Sequence, residues 1–323
     1  MLETRNKPYT NTLAVIKNKP FKKLKLENIN IDLESIKEIS DELNSSLKDI
    51  HLRYCDSIEQ ILTLISSPLI FMSFAMGKVK ESHLSIEKAV KLGFFINNPP
   101  KEPKDAAKHL VDFFQESIKT ANETVVEDSI RESNNLYENN PEIRKCFENI
   151  ARNAIVNTWT LFETYSKEIW VKSFNENPNF INSAIINTKN NLNSPILDKN
   201  IPLNLLSKYG FDVSNHLGEI LSVKYDFTGC NGIKKSFRDL LNLKDNEIEF
   251  MDNENLNQME ITRHILVHNS GVIDNKYLIR SKRNNEKIGI PIELEIEEIS
   301  NMINSSINSI KDLFKLANKK NNC

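Results

Sequence analysis

The stretch MEITRHILVHNSGVIDNKY, residues 259–277, predicts the C-terminal part of an amphipathic helix and the turn that ends it. On a helix that begins near residue 252 or 253, residues three, four and seven apart share a face. Arg263 lies in the middle of an apolar stripe on that face, which is formed by Leu256, Met259, Leu266 and Val267. A guanidinium at such a position requires an anion, a carboxylate or a solvent-filled cleft. Asn269, Ser270 and Gly271 end the helix, because asparagine and glycine adopt the left-handed conformation at little cost.

Arg263 and His268 are five residues apart, which turns an ideal helix by about 500°, so their side chains do not share a face. The two groups can meet through the reach of the arginine, through unwinding at Asn269, or through a second copy of the site. A structural interpretation is equally open at this point. In that interpretation Arg263 pairs with a buried carboxylate, and His268 lies at the helix end.

The string RHILVHNSG, from Arg263 to Gly271, with Asp274 and Tyr277 after it, resembles the signature of the HEPN superfamily of nucleotide-binding domains. That signature is an arginine, commonly followed by a polar residue, then four to six positions and a histidine, late in an all-α domain. His264 stands at the polar position, and the VHN-x-G ending is common among defence-associated members. The resemblance covers the C-terminal half of the chain only.

The resemblance implies a metal-independent endoribonuclease, in which the 2′-OH of RNA attacks the neighbouring phosphodiester. Arg263 would stabilise the charge on the phosphoryl oxygens, and His268 would transfer protons, because its ordinary pKa lies near neutrality. His264 and Asn269 would be auxiliary or positioning residues. Since this chain appears once in the motif pattern, the resemblance also implies a homodimer in which two motifs face one cleft.

The same resemblance implies a cellular setting. HEPN nucleases of this kind belong to bacterial anti-phage defence, abortive infection or toxin–antitoxin systems. The expected partners are therefore RNA, with tRNA among the candidates, and an antitoxin or a sensor protein. No cofactor is expected.

Glu163 is the candidate internal partner of Arg263. It lies at the edge of the apolar stripe of a long helix predicted at residues 142–175, between Trp159 and Trp170. A carboxylate there is either a surface residue or the partner of the motif arginine. The resemblance favours the partner, since an acidic residue on the first HEPN helix often faces that arginine.

A basic cluster follows the motif and is formed by Lys276, Arg280, Lys282 and Arg283. In isolation such a cluster is typical of a solvated loop. Beside a site that handles phosphate, it predicts a track for the RNA backbone, and binding to such a track weakens as salt rises.

The composition is that of an ordinary soluble protein, with 39% hydrophobic residues, 27% charged residues and a net charge of −2 over 323 residues. This balance argues against a general nucleic-acid coat protein, which would be basic. The four cysteines form no C-x-x-C pair, and the N-terminus lacks the apolar core of a signal peptide, so we expect a cytoplasmic protein. His264 and His268 are four apart, but Ile265 replaces the glutamate of H-E-x-x-H, and no metal site is expected.

Residues 60–77 carry no charge, which is near the lower limit for a membrane span. Pro68 lies at the centre, and a proline inside a helix removes a hydrogen bond and clashes with the preceding turn. The favoured interpretation is a pair of buried core helices, at 46–66 and 69–80, that breaks at Pro68. No stable membrane association is expected.

The predicted fold is all-α in two domains. Asparagine and proline at 139–141 place the boundary near residue 140. Residues 1–140 would form a helical sensing or docking domain of unknown role, and residues 141–323 a HEPN-like ribonuclease domain. Alternation with a period near two at 272–279 and 288–296 predicts a small hairpin excursion before the last helix.

Two other functions stay open. HEPN-like domains also occur as non-catalytic modules that bind RNA, nucleotides or a partner protein, and such a module would bind without cutting. A weaker alternative is a membrane-acting effector that works through residues 60–77.

Overall fold

The computed structural model describes residues 31–97, 124–125, 127–182, 201–281, 283 and 286–321. Within these ranges the regular structure is helical and contains no β-strand, so the predicted all-α fold class is confirmed. The α-helices of the described part, in chain order, are α1 (Glu34–Lys37), α2 (Ser45–Asn97), α3 (127–139), α4 (Pro141–Glu176), α5 (Leu203–Lys208), α6 (Leu217–Ser222), α7 (Cys230–Leu241), α8 (Glu254–His268), α9 (Asn275–Ser281) and α10 (Ile296–Asn321).

The described residues form two compact units. The first contains residues 64–97 and 124–150, and the second contains residues 31–63 and 151–321. The predicted division into residues 1–140 and 141–323 differs from this, because residues 31–63 pack with the C-terminal part of the chain. Asn140 marks a helix start instead of a linker: its side-chain oxygen accepts the backbone N–H of Glu142 at 3.1 Å.

Helix α2 is continuous through Pro68, so the predicted break there is wrong. Proline at this position leaves the carbonyl of Leu64 without its usual donor. The hydroxyl of Ser67 donates to that carbonyl at 2.7 Å and replaces the missing hydrogen bond. The prediction of a buried core segment is also wrong, because 17% of the most apolar window of this helix is buried.

By length and composition, the α2 segment Ser45–Glu87 is able to cross a membrane, with a mean hydropathy of 1.5 in its most apolar window. A core helix of a soluble protein passes the same test. The test is therefore weak evidence by itself.

The core of the second unit is built around α4, whose aromatic residues Trp159, Phe162, Trp170 and Phe174 are fully buried. The Trp170 indole donates to the backbone carbonyl of Ser236 at 2.9 Å, which fastens α7 to α4. Helix α10 contributes a long buried face and packs against α8. These helices hold α8, the helix of the quoted motif, in place.

Helix α8 begins and ends close to the predicted positions. The Asn253 side chain accepts the backbone N–H groups of Asn255 and Leu256, and this caps the first turn. The helix ends at His268, and Gly271 follows with a φ of +76°. The predicted apolar stripe is only partly correct: Val267 is exposed, and the buried face is Leu256, Met259, Ile261, Thr262 and Ile265.

The excursion after α8 differs from the predicted hairpin. A single antiparallel bridge joins Val272 to Pro291, and the N–H of Ile273 donates to the carbonyl of Ile290 at 2.9 Å. Between these residues the chain forms helix α9 instead of a strand, because the Asp274 side chain accepts the N–H of Tyr277 at 2.7 Å and caps a helical turn.

Candidate functional site

A cavity of about 100 Å³ lies between the end of α8 and helix α9. Its apolar wall is formed by Ile261, Ile265 and Tyr277. Its polar wall is formed by His264, His268, Asn269, Asp274, Lys276 and Arg280. The cavity thus gathers five of the nine residues that the sequence predicts for the site, namely His264, His268, Asn269, Lys276 and Arg280.

The two histidines are the groups in this cavity that can transfer protons near neutral pH. They lie one helical turn apart, with ring centroids 4.7 Å from each other and planes inclined by 47°. Burial lowers the pKa of His264, and the positive charges of Lys276, Arg280 and Arg263 lower this pKa further, as does His268. His264 is therefore held in its neutral form near pH 7, whereas the imidazole of His268 is exposed to solvent.

Helix α9 places two cations beside these rings. Lys276 is exposed, and in the described part of the chain its ammonium makes no hydrogen bond or ion pair. Arg280 donates from Nη2 to Oε1 of Glu260 at 2.6 Å. The other oxygen of Glu260 accepts the backbone N–H of Cys230 at 2.9 Å, so this carboxylate ties α9 and α7 to α8.

Asn269 and Asp274 shape the mouth of the cavity. The Asn269 amide donates to the carbonyl of Val272, which holds the turn after α8. Asp274 caps α9 through Tyr277, and burial raises the pKa of the Tyr277 hydroxyl to about 12. The side chain of Asn269 is thus used to hold the backbone in this structure.

Arg263 does not line the cavity. It is half-buried, and its Nε is buried without a hydrogen-bond partner among the described residues. This placement follows from the five-residue spacing, which directs Arg263 and His268 to different sides of α8. Within one copy of the chain the two motif residues do not meet.

Glu163 lies near Arg263 but does not pair with it directly within the described residues. The Trp159 indole donates to Oε1 of Glu163 at 2.6 Å. Burial raises the pKa of Glu163, and the indole hydrogen bond and the charge of Arg263 oppose that rise. The guanidinium is therefore close enough to be felt electrostatically, and Glu163 is held by Trp159.

The remaining predicted RNA-binding residues differ in their surroundings. Arg283 donates to Oε1 of Glu286 at 3.0 Å and to Oε1 of Glu298 at 2.5 Å, so its guanidinium is occupied by two carboxylates. Lys282 lies outside the described residues. The cavity-facing part of the predicted track is thus Lys276 and Arg280.

Three residues of this region were not singled out by sequence reasoning as site residues: Glu260, Asp274 and Tyr277. Asp274 carries a usable signal, because an aspartate three residues before Tyr277 is a helix cap. Glu260 has no such signal, since its partners Arg280 and Cys230 come from distant turns. Among the residues that the structure describes, no cluster of three or more histidine, cysteine, aspartate or glutamate side chains is arranged to hold a metal ion.

Comparison with known proteins finds no protein-family model, no curated protein and no solved structure that matches this chain.

Proposed function

We propose that this protein is a metal-independent endoribonuclease. The observation that carries the proposal is the cavity in which His264 and His268 meet the cations Lys276 and Arg280. Imidazoles can move protons near neutral pH, and the ammonium and guanidinium groups attract phosphate. The resemblance of the Arg263-to-Gly271 string to the HEPN signature supports the same reaction.

The proposed reaction needs two proton transfers. A base takes the proton of the RNA 2′-OH, the 2′-oxygen forms a bond to phosphorus, and the bond from phosphorus to the 5′-oxygen breaks. An acid gives a proton to that leaving oxygen, which yields a 2′,3′-cyclic phosphate and a 5′-hydroxyl. Neutral His264 suits the first transfer, and His268 suits the second when it is protonated. Lys276 would hold a phosphate oxygen.

Arg263 enters this scheme through a second copy of the chain. In one copy it points away from the cavity, so a composite site at a homodimer interface would be required to bring it to the phosphate. There its planar guanidinium would bind two phosphoryl oxygens and stabilise the developing charge. The cellular role that we propose is bacterial anti-phage defence or a toxin–antitoxin system in the cytoplasm, with an antitoxin or a sensor protein as partner.

Arg263→Ala tests this role of the arginine. We expect the variant to lose RNA cleavage and to stay folded, because the half-buried guanidinium makes no hydrogen bond or ion pair with any described residue. Cleavage of total RNA and thermal unfolding are both measured, with Arg238→Ala as the control, since Arg238 binds the exposed Asp245 instead. Unfolding of the Arg263 variant would favour the structural interpretation, and unchanged cleavage would remove Arg263 from the site.

A non-catalytic RNA-binding module is the second candidate. Two observations favour it: Arg263 and His268 lie apart in one copy, and Arg280 is already paired with Glu260. This candidate predicts that the purified protein binds RNA with a salt-dependent affinity and releases it uncut.

A further inference from the structure

Helix α2 carries an exposed apolar face along residues 64–90, which we name the α2 stripe. Its large members have exposed fractions between 39% and 72%: Leu64, Phe71, Val79, Ile86 and Val90. Ala75 is also exposed, and Pro68 is half-buried. All of these residues belong to the first compact unit.

The spacing along the α2 stripe is a palindrome. The intervals from Leu64 to Pro68, Ala75, Val79, Ile86 and Val90 are four, seven, four, seven and four residues. At about 100° per residue, these six positions fall within an arc of about 80° on a straight helix. Because the intervals read the same in both directions, position 77 is the centre of the stripe.

A palindromic stripe fits a copy of itself that runs in the opposite direction. In a twofold-symmetric pair, residue i of one copy contacts residue j of the other, and j contacts i. With the axis at position 77, Leu64 of one copy lies opposite Val90 of the other, Pro68 lies opposite Ile86, and Ala75 lies opposite Val79. We propose that the α2 stripe is an antiparallel docking surface for a second copy of this chain.

The area of the stripe is sufficient for such a pair. The exposed parts of its apolar side chains amount to about 500 Å² per copy, or about 1,000 Å² in the pair, which reaches the lower limit for a specific interface. The small Ala75 and Val79 at the centre allow the two helices to approach closely. The surface lies on a different compact unit from the cavity, and the inference stands without the proposed ribonuclease function.

A lipid bilayer fits the same helix less well. Ile65, Leu69 and Ser73 on a neighbouring face are buried by the protein itself, so insertion of α2 as a span would remove them from their packing. The stripe also extends past the exposed Lys78 and past Lys80, which pairs with Asp128 on α3. Those charges lie near its centre, where a membrane span carries none.

The test is a charge exchange at one predicted contact. Leu64→Glu and Val90→Lys are made separately in the full chain, and association is measured by analytical ultracentrifugation of each variant and of their mixture. Each homodimer would hold two uncompensated charges against apolar side chains, so we expect its dissociation constant to rise at least about 100-fold. In the mixture one glutamate faces one lysine and the other contact is wild type, so the heterodimer should form.

The control is Leu203→Glu, which adds the same charge at an exposed leucine away from the stripe and should leave association unchanged. Restored association in the mixture alone supports the antiparallel pair. A wild type that is monomeric at high micromolar concentration, or two single variants that still dimerise, would overturn the proposal. Flotation of the wild type, but not of Leu64→Glu, with phosphatidylcholine and phosphatidylglycerol vesicles would identify a bilayer as the occupant and would also overturn it.

Discussion

Glu260→Gln is expected to lower the stability of the protein and to strengthen its binding to RNA. The Glu260 carboxylate accepts Nη2 of Arg280 at 2.6 Å and the backbone N–H of Cys230 at 2.9 Å. A glutamine keeps one oxygen that can accept the Cys230 N–H, but it carries no charge to hold the guanidinium. Arg280 lines the cavity, so its charge would become available to phosphate.

The structure sets the size of both effects. The side chains of Arg280 and Glu260 are 37% and 22% exposed, so their ion pair is partly screened by solvent. Loss of this pair should cost about 1–2 kcal/mol, between the values for an exposed pair and for a buried charged hydrogen bond. One additional contact to a phosphate of single-stranded RNA should make the slope of log K against log[salt] steeper by about 0.7.

Thermal unfolding and RNA-binding titrations at several salt concentrations measure the two effects. Asp245→Asn is the matched control, because it also changes a carboxylate to an amide and releases an arginine, Arg238, which does not line the cavity. The control should leave the salt slope unchanged. A Glu260→Gln variant with weaker RNA binding or an unchanged slope would refute the assignment of Arg280 to an RNA-binding surface.

Two further predictions concern the cavity and the packing. The pKa of His264, followed by NMR, should lie below its ordinary value of 6.5, and Lys276→Gln should raise it. Because the unfolded chain takes up this proton at a higher pH than the folded protein, the contribution of His264 to stability should be lost as the pH falls below 6.5. Gly218→Ala should destabilise the protein by about 1–3 kcal/mol, since the added Cβ would lie 2.2 Å from the carbonyl oxygen of Val171; Gly77→Ala on α2, with nothing within 4 Å, should instead stabilise it by up to about 1 kcal/mol. Equal effects of the two alanine substitutions in thermal unfolding would contradict the packing described for α6.

Much of the fold could be predicted because its signals are local. The cap at Asn253, the end of α8 at His268 and the long apolar pattern of α4 each depend on residues within a few turns of one another. The five-residue spacing of Arg263 and His268 likewise predicted that these residues face different sides of the helix. Helix geometry alone decides that separation.

The other features depend on contacts that a linear pattern does not contain. The course of α2 through Pro68 depends on one hydroxyl, that of Ser67, which replaces the lost backbone donor. The alternation after Gly271 resembled a strand, but the Asp274 cap and the packing of Tyr277 in the core form α9 instead. Because α9 is a helix, Lys276 and Arg280 lie one turn apart and both face the cavity.

The most direct test of the proposed ribonuclease is cleavage of total RNA and of tRNA by the purified full chain in EDTA, with His268→Ala as the comparison. The account predicts that the wild type cuts in the presence of the chelator, that its products end in 2′,3′-cyclic phosphate, and that the variant does not cut. Equal cutting by both proteins would place the site elsewhere, and RNA left intact by the wild type would contradict the ribonuclease proposal in favour of a binding module.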